Sequence, residues 1–320
     1  MSNLADMEVK SCSIVILTYK GIQHLELLLP TVKTAIFNTS NYKINVLIVD
    51  NGCDEKTKTY CRSHFPEFEF EFSPKNDYLF SLNDFVEKIS SSFTFILNDD
   101  MKLHPDVLNK TLDVISKDER LFAVTCNIMD FEGKYETTGL RTITVARGWA
   151  RISDFKVPTR GLYYTWFAGG GAAIFNTKMF NLLKGFDPLY RPAYCEDSDI
   201  SMRAWHRGWK TVYHPEAILY HRVSATIRDQ FKANQIDQLQ NRQKIILFAR
   251  NLRIRKFIWP FLLLLPYRLL LGWKVGKNSY FALWKSVILL PSALLKRLGE
   301  GQPLLSDSET MKLVGKVYER

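Results

Sequence analysis

Three short apolar runs, each ending abruptly in a polar cluster, constrain the fold of this chain more than any other feature. The runs are Ser13–Leu17, Asn45–Val49 and Phe93–Leu97, and the clusters that follow them are Thr18–Gly21, Asp50–Gly52 and Asn98–Asp100. Helix-like segments such as Gln23–Phe37 lie between the runs. Strands that alternate with helices predict a parallel sheet covered on both faces. Ligands of such sheets bind beyond the carboxyl ends of the strands, so we expect the three clusters to meet in one binding crevice.

The positive charge of the chain is concentrated in one C-terminal segment. Residues 241–300 contain twelve Lys and Arg residues and one acid, Glu300, a net charge of +11, whereas the whole chain of 320 residues carries +10. The remainder is almost neutral. This argues against a general nucleic-acid-binding protein, whose charge would line a groove in the folded body. The five cysteines are scattered without a Cys-x-x-Cys pair, so we expect a reduced, cytoplasmic compartment and no structural zinc.

The same segment contains two apolar stretches, Phe257–Trp273 and Tyr280–Leu298, which prolines and basic residues interrupt. The first has about the minimum length for a membrane-spanning helix. We expect both to be helices that lie along an anionic membrane surface without crossing it. A pair of core helices and a re-entrant or membrane-spanning segment are the alternatives. Residues 1–13 have no apolar signal-peptide core. These features predict a peripheral protein at the inner face of the plasma membrane.

Two acidic clusters are candidates for chemistry. Asp99 and Asp100 follow a strand, where adjacent carboxylates are costly unless a cation or hydrogen bonds compensate them; a divalent metal or a solvated turn are equally good interpretations. Glu196, Asp197 and Asp199 lie near the start of a predicted helix, whose dipole favours anions. A carboxylate there could serve as a general base, whereas Asp199 is better explained as the partner of the residue four positions later, Arg203.

Other candidates are weaker when each is taken alone. His221 follows an apolar run and ends a strand or begins a loop, and a lone histidine is more often structural than a ligand. Asp50 could accept a hydrogen bond from a base or ribose, although Asn51-Gly52 is also a strong turn signal. Gly169–Gly171 could let a ligand approach the backbone closely, or form a hinge. The sequence contains no GxGxxG, GKS/GKT, GxSxG or HExxH motif.

Taken in order along the chain, these pieces resemble the family 2 glycosyltransferases of the GT-A fold. The resemblance covers about two-thirds of the chain and rests on Ser13–Tyr19, Val46–Asn51, Asn83, Leu97–Asp100, Ala168–Ala172, Gly185–Asp187, Glu196–Asp199, Arg203, Gly208–Lys210, Pro215–Ala217 and His221–Ser224. Among members of the family, it resembles bacterial rhamnosyltransferases and related transferases that build surface glycans. Lys20 departs from the pattern, since asparagine is usual there, and the QxxRW motif of processive synthases is absent.

The pattern of the C-terminal residues predicts a basic, apolar, amphipathic helical region over 227–305 that associates with a membrane, and a tail over 306–320 that we expect to be loose. The family resemblance implies an α/β fold, with a Rossmann-like mixed sheet flanked by helices, in a catalytic domain over residues 1–226.

It also implies a reaction: the inverting transfer of one sugar from a nucleotide-sugar donor to a hydroxyl of a glycan acceptor, which the apolar tail suggests is lipid-linked. Asp100 and His221 would hold Mg²⁺ or Mn²⁺, and Asp197 would be the catalytic base, supported by Glu196. The residues implied for the nucleotide sugar are Thr18, Tyr19, Asp50, Asn83, Asn98, Asp99, Gly169 and Gly170. A catalytically silent scaffold that binds a nucleotide or glycan, and a nucleotidyltransferase, remain as alternatives.

Overall fold

The computed structural model describes residues 10–146, 149–222, 232–274 and 277–319. The strands are β1 (Ser11–Thr18), β2 (Lys43–Asp50), β3 (Glu69–Phe72), β4 (Phe93–Asn98), β5 (Met101–Leu103), β6 (Leu121–Asp130), β7 (Glu136–Thr138), β8 (Leu140–Ala146), β9 (Trp149–Phe155), β10 (Tyr163–Tyr164), β11 (Ala172–Asn176) and β12 (Lys210–His221). The helices are α1 (Ile22–Phe37), α2 (Glu55–His64), α3 (Leu82–Val86), α4 (Val107–Ile115), α5 (Thr177–Leu182), α6 (Glu196–His206), α7 (Ala233–Asn251), α8 (Arg255–Leu271), α9 (Lys277–Val287), α10 (Leu290–Gly299) and α11 (Asp307–Leu313).

One mixed sheet forms the centre of the protein, with the strand order β10-β12-β6-β11-β4-β1-β2-β3. Strands β4, β1, β2 and β3 run parallel, as their alternation with helices predicts. Strand β11 runs antiparallel between β4 and β6, so a wholly parallel sheet is the wrong expectation and the mixed sheet implied by the family resemblance is confirmed. Strands β8 and β9 form a separate antiparallel hairpin.

The first strand and helix show why the N-terminal half folds this way. In β1, Ile14, Val15 and Ile16 are fully buried, as expected for a central strand covered on both faces. Helix α1 buries Leu25, Leu28, Leu29, Val32 and Ala35, which form one stripe at helical spacing. This packing brings the start of α1 directly beyond the carboxyl end of β1, at the edge where a ligand of such a sheet would bind.

The two predicted apolar stretches in the C-terminal region are helical, forming α8 in one case and α9 with α10 in the other. Among the described residues, no helix combines the length and apolarity needed to cross a membrane. Helix α8 buries Phe257 and Phe261 against the body of the protein, whereas Trp259 and Leu263 remain exposed. Within the helical region predicted over residues 227–305, α7 begins at Ala233, and residues 223–231 lie outside the described part of the chain.

The C-terminal residues are packed on the body, contrary to the expectation of a loose tail. His206 Nε2 lies 2.8 Å from Asp307 Oδ1, and both side chains are buried. The Tyr318 hydroxyl donates to Asp118 at 2.8 Å, and Val317 forms a β-bridge with Tyr163. A buried side-chain contact and backbone pairing of this kind hold the segment on the sheet, and the sequence pattern does not indicate either.

Candidate functional site

A cleft of about 870 Å³ opens beyond the carboxyl ends of β1 and β4. Its lining comes from the β1–α1 loop, the β4–β5 turn, the glycines before β11, the start of α6 and the end of β12. The lining residues are Leu17–His24, Asn51, Asn76, Tyr78, Leu79, Asn98, Asp99, Asp100, Gly170, Gly171, Ala193, Tyr194, Glu196, Asp197 and His221. The predicted convergence of polar strand ends is therefore present, with contributions from both halves of the sheet.

Asp99 is held at the base of the cleft by the end of β1. The Thr18 hydroxyl donates to its Oδ2 at 2.6 Å, and its backbone N–H donates to the carbonyl of Leu17 at 3.2 Å. Burial raises the pKa of Asp99 to about 6; the Thr18 hydrogen bond opposes this, and the negative charge of Asp100 adds to it. A Cβ at Gly21 would lie only 2.2 Å from Asp99 Oδ2, so the approach of the β1–α1 loop to this carboxylate requires glycine at that position.

Asp100 and His221 meet although 121 positions separate them in the chain. Their atoms Oδ2 and Nε2 are 3.2 Å apart. The contact arises because β5 pairs antiparallel with β12, with Met101 opposite His221, and because the Arg222 N–H donates to the Asp100 carbonyl at 3.0 Å. His221 thus ends a strand, as its sequence context indicates. Within the described ranges, no three His, Cys, Asp or Glu side chains are grouped so that they could hold a metal ion by themselves.

The start of α6 presents its acids to the same cleft. Tyr194 and Cys195 have left-handed φ angles of 74° and 69°, which turn the chain sharply into the helix. The Asp197 carboxylate accepts hydrogen bonds from the Ser198 N–H at 2.6 Å and the Gly170 N–H at 3.4 Å, and it remains partly exposed to the cleft. Burial raises the pKa of Glu196 to about 8, and the neighbouring charge of Asp197 adds to the effect.

Asp199 and Arg203 form the expected i,i+4 pair, with Arg203 Nε 2.7 Å from Asp199 Oδ2. Both side chains are buried, so this is no solvated surface pair. The Tyr190 hydroxyl and the Asn251 amide also donate to Asp199 Oδ1, each at 2.9 Å. Asp199 therefore anchors the helix that carries Asp197 and does not face the cleft.

Three predicted ligand-binding residues lie outside the lining of the cleft. Asp50 is fully buried, and its carboxylate accepts the N–H groups of Lys20, Gly52 and Asp54 at 3.2, 2.8 and 2.8 Å. It ties the loops after β1 and β2 together, while the neighbouring Asn51 lines the cleft. The structure thus gives Asp50 a supporting position behind the cleft wall.

Asn83 and Gly169 also support the wall from behind. The Asn83 amide donates to the Phe186 carbonyl and accepts from the Phe186 N–H, both at 2.8 Å, which fixes the Gly185–Asp187 turn. The Gly169 N–H donates to Thr125 Oγ1 at 3.2 Å, whereas Gly170 and Gly171 face the cleft.

Sequence reasoning missed the contribution of residues 76–79. Asn76, Tyr78 and Leu79 line the cleft, and Tyr78 has a left-handed φ of 51°. No periodic pattern or motif marks this loop. The Asn51 amide donates to the Tyr78 carbonyl at 3.1 Å, which is a contact between two loops and has no local sequence signal.

The fold and the cleft define a class: an α/β protein with a strand-end acid pair, a glycine-lined wall and a helix-borne carboxylate, as in nucleotide-sugar-dependent transferases. Residues 93–296 match the glycosyl transferase family group 2. The chain belongs to this family, and the resemblance stated from its motifs is confirmed.

A relative of known activity and a solved structure are similar to this chain. The chain is 23% identical over 244 residues to the N-acetylglucosaminyl-diphospho-decaprenol L-rhamnosyltransferase of Mycobacterium tuberculosis, an alignment that covers 68% of this chain and 78% of the relative. It resembles GalNAc-T7 in a crystal structure with UDP, GalNAc and Mn²⁺, with a TM-score of 0.63, 14% identity, and coverage of 96% of this chain and 57% of that chain.

A second similar structure is the mannosyltransferase PcManGT from Pyrobaculum calidifontis, in complex with GDP-Man and Mn²⁺. The TM-score is 0.55 at 16% identity, and the match covers 90% of this chain and 79% of that chain. At these identities the two structures show a shared GT-A fold.

Proposed function

We propose that this protein is a metal-dependent inverting glycosyltransferase that moves one sugar from a nucleotide-sugar donor to a hydroxyl of a lipid-linked glycan. The observation that carries the proposal is the meeting of Asp100 and His221 in the same cleft as Asp197. The first two side chains offer ligands for a cation beside a donor diphosphate, and the third is a carboxylate that can accept a proton.

The donor set of the cleft fits a divalent cation. Ligands about 2.1 Å from an ion and at a right angle are about 3 Å apart, and Asp100 Oδ2 and His221 Nε2 are separated by 3.2 Å. Ions such as Mg²⁺ usually take one or two protein carboxylates and complete their shell with water and substrate phosphates. Two protein ligands therefore suffice. The ion would neutralise the departing diphosphate as a Lewis acid.

Side chains of this protein would carry out the remaining steps of the reaction. Asp197 would remove the proton from the acceptor hydroxyl as that oxygen attacks the anomeric carbon opposite the nucleotide. The N–H groups of Ser198 and Gly170 hold the Asp197 carboxylate in place. A one-step displacement needs no covalent intermediate, so a single base is enough. Glu196, whose raised pKa keeps it protonated at neutral pH, can donate a hydrogen bond to the acceptor.

The C-terminal helices support the proposed acceptor and location. Helices α8–α10 and the turn between α9 and α10 leave large apolar side chains exposed, among them Trp259, Leu263, Leu270, Ile288 and Leu295. These lie in the basic segment of the chain, and an exposed apolar face with cations near it suits an anionic membrane surface. The Mycobacterium relative is named for a diphospho-decaprenol substrate, which supports a lipid-linked acceptor at the inner face of the plasma membrane.

Release of nucleoside diphosphate tests the proposal. Full-length protein would be screened with nucleotide sugars and Mn²⁺ or Mg²⁺, with and without lipid extract. Asp197→Asn is expected to lower turnover by about 10²- to 10⁴-fold, the usual contribution of a general base, while donor affinity is kept. The matched control is Asp84→Asn, because Asp84 is an exposed acid at the surface of α3.

Each alternative gives a different result. A silent scaffold would bind the nucleotide equally well with either residue at position 197 and release no product. A nucleotidyltransferase would release pyrophosphate from a nucleoside triphosphate.

A further inference from the structure

A second cavity, of about 290 Å³, lies between the β8–β9 hairpin and helices α7 and α8. The apolar side chains of Trp149, Ile152, Ile245, Phe248, Phe257 and Phe261 form one part of its wall, and polar groups form the rest. Ligand pockets usually span about 300–1,000 Å³. A cavity at the lower end of this range takes only part of a large ligand, and the rest of that ligand would remain outside.

The polar part of this cavity is cationic. Lys244 and Arg151 line it, and no acidic side chain does. The Arg268 guanidinium lies over the rings of Trp149 and Phe261, at 5.3 and 5.8 Å from their centroids. Among the described residues, neither Lys244 nor Arg151 has an ion-pair partner. Half-buried lysine without a counter-ion, next to aromatic side chains, suits a ligand that is anionic at one end and apolar at the other.

Helix α7 lines this cavity and also contacts the wall of the catalytic cleft. On α7, the Gln243 amide donates to the carbonyl of Ala193 at 3.1 Å, and Ala193 lines the cleft. The next residue, Lys244, lines the second cavity, and its charge acts on the thiol of Cys195, whose pKa burial nevertheless raises strongly. Cys195 directly precedes Glu196. A ligand in the cavity is therefore close to the end of the cleft where the two acids of α6 lie.

Helix α8 connects the cavity to the exposed apolar surface. Phe257 and Phe261 face the cavity, whereas Trp259, Leu262 and Leu263 on the other side of the helix are exposed. An apolar chain leaving the cavity would pass this helix and reach the surface that we propose lies on the membrane.

We propose that this cavity binds the diphosphate and the first isoprene units of a polyprenyl-diphosphate-linked acceptor. The inference rests on the proposed function and adds a site to it: Lys244 and Arg151 would contact the diphosphate, and the aromatic wall would contact the prenyl chain. The sugar attached to the diphosphate would then extend along α7 toward the cleft that contains Asp197. A free phosphate would have no use for the aromatic wall, and a fatty chain alone would leave the two cations uncompensated.

Equilibrium binding of farnesyl diphosphate to the full-length protein tests this site. A nucleoside diphosphate and Mn²⁺ would be present at saturating concentration, so that the catalytic cleft is filled. Lys244→Gln is expected to weaken binding about tenfold, the loss of one charge-assisted contact. Lys56→Gln is the matched control because Lys56 is an exposed cation of α2 that lines neither cavity and lies outside the basic C-terminal segment.

The two halves of the ligand are then measured separately. Inorganic diphosphate and farnesol should each bind more weakly than farnesyl diphosphate by about tenfold or more. Equal affinity of the two lysine variants, or of farnesol and farnesyl diphosphate, would overturn the assignment.

Steady-state kinetics provides the second readout, in which Lys244→Gln raises KM for a lipid-linked acceptor and Lys56→Gln does not. Because the binding assay needs no turnover, a protein that releases no nucleotide from any donor would refute the proposed function while the binding data still decide whether this site exists.

Discussion

Arg250 lies in the last turn of α7, where it joins three acids from three parts of the chain. Its NH1 atom is 2.6 Å from Asp187 Oδ2 and 3.0 Å from Asp199 Oδ1, and its NH2 atom is 2.9 Å from Glu300 Oε1. The guanidinium is buried, as are Asp187 and Asp199. Replacing Arg250 by methionine keeps much of the side-chain volume and leaves these carboxylates with one positive charge fewer.

The contacts that remain set the size of the effect. Removing one member of a buried ion pair costs about 3–5 kcal/mol because the other charge is left uncompensated. Asp199 keeps Arg203, at 2.7 Å, and Asp187 keeps Lys296, also at 2.7 Å. We therefore expect Arg250→Met to lower the free energy of unfolding by the smaller value, about 3 kcal/mol.

Urea unfolding of the full-length protein, followed by circular dichroism, measures this change. Glu300→Gln is the control, since Glu300 is the most exposed of the three acids, and its loss should cost less than about 1 kcal/mol. Arg250→Lys keeps the charge without the forked geometry and should fall between the two. If Arg250→Met unfolds within about 1 kcal/mol of the wild type, the buried network does not stabilise the protein as its geometry indicates.

Three further predictions concern single residues. Gly171→Ala should lower kcat/KM by about tenfold or more, because its Cβ would lie 2.3 Å from the Asn98 amide; Gly169→Ala, whose nearest contact is 3.5 Å, is the matched control. Glu196→Gln should keep turnover at neutral pH and remove the fall that we expect in the wild type as the pH rises through about 8, which pH–rate profiles of the two proteins would compare. Burial, with the charge of Lys110, lowers the pKa of His214 to about 4, below the unfolded value of about 6.5. Because the unfolded chain then binds a proton that the folded chain does not, the free energy of unfolding should fall by about 2 kcal/mol as the pH is lowered from 7 to 5. His214→Gln should abolish this fall, which urea unfolding measures.

The sequence predicts the parts of the fold that have a local signal. Strands β1, β2 and β4 and helix α1 all have the expected type and nearly the expected ends, because burial on both faces or on one stripe leaves a pattern within a single segment. The acids at the ends of β4 and at the start of α6 are found for the same reason. They stand next to such patterns.

What the sequence does not predict depends on pairing between distant segments. The contact of Asp100 with His221 requires β5 to pair with β12, and the sequence of neither strand indicates which strand it pairs with. The same holds for Tyr78, which enters the cleft through a loop contact with Asn51. The family resemblance brings Asp100 and His221 together where the local pattern cannot, since the resemblance carries the fold's pairing with it.

The contacts in the structure reduce the share of the positive charge of residues 241–300 that can act on a membrane. Several cations of this segment are paired with buried groups of the protein. Arg250 and Lys296 bind buried Asp187, and the Arg297 guanidinium donates to the carbonyls of Ala249 and Leu252. Since each exposed Lys or Arg adds about 1 kcal/mol to binding of an anionic membrane, the full excess of +11 overstates the attraction. The segment that we propose binds the membrane also braces the helix that carries Asp197. Deleting residues 256–298 would therefore change stability together with membrane binding, and charge substitutions at exposed positions such as Lys274 separate the two effects.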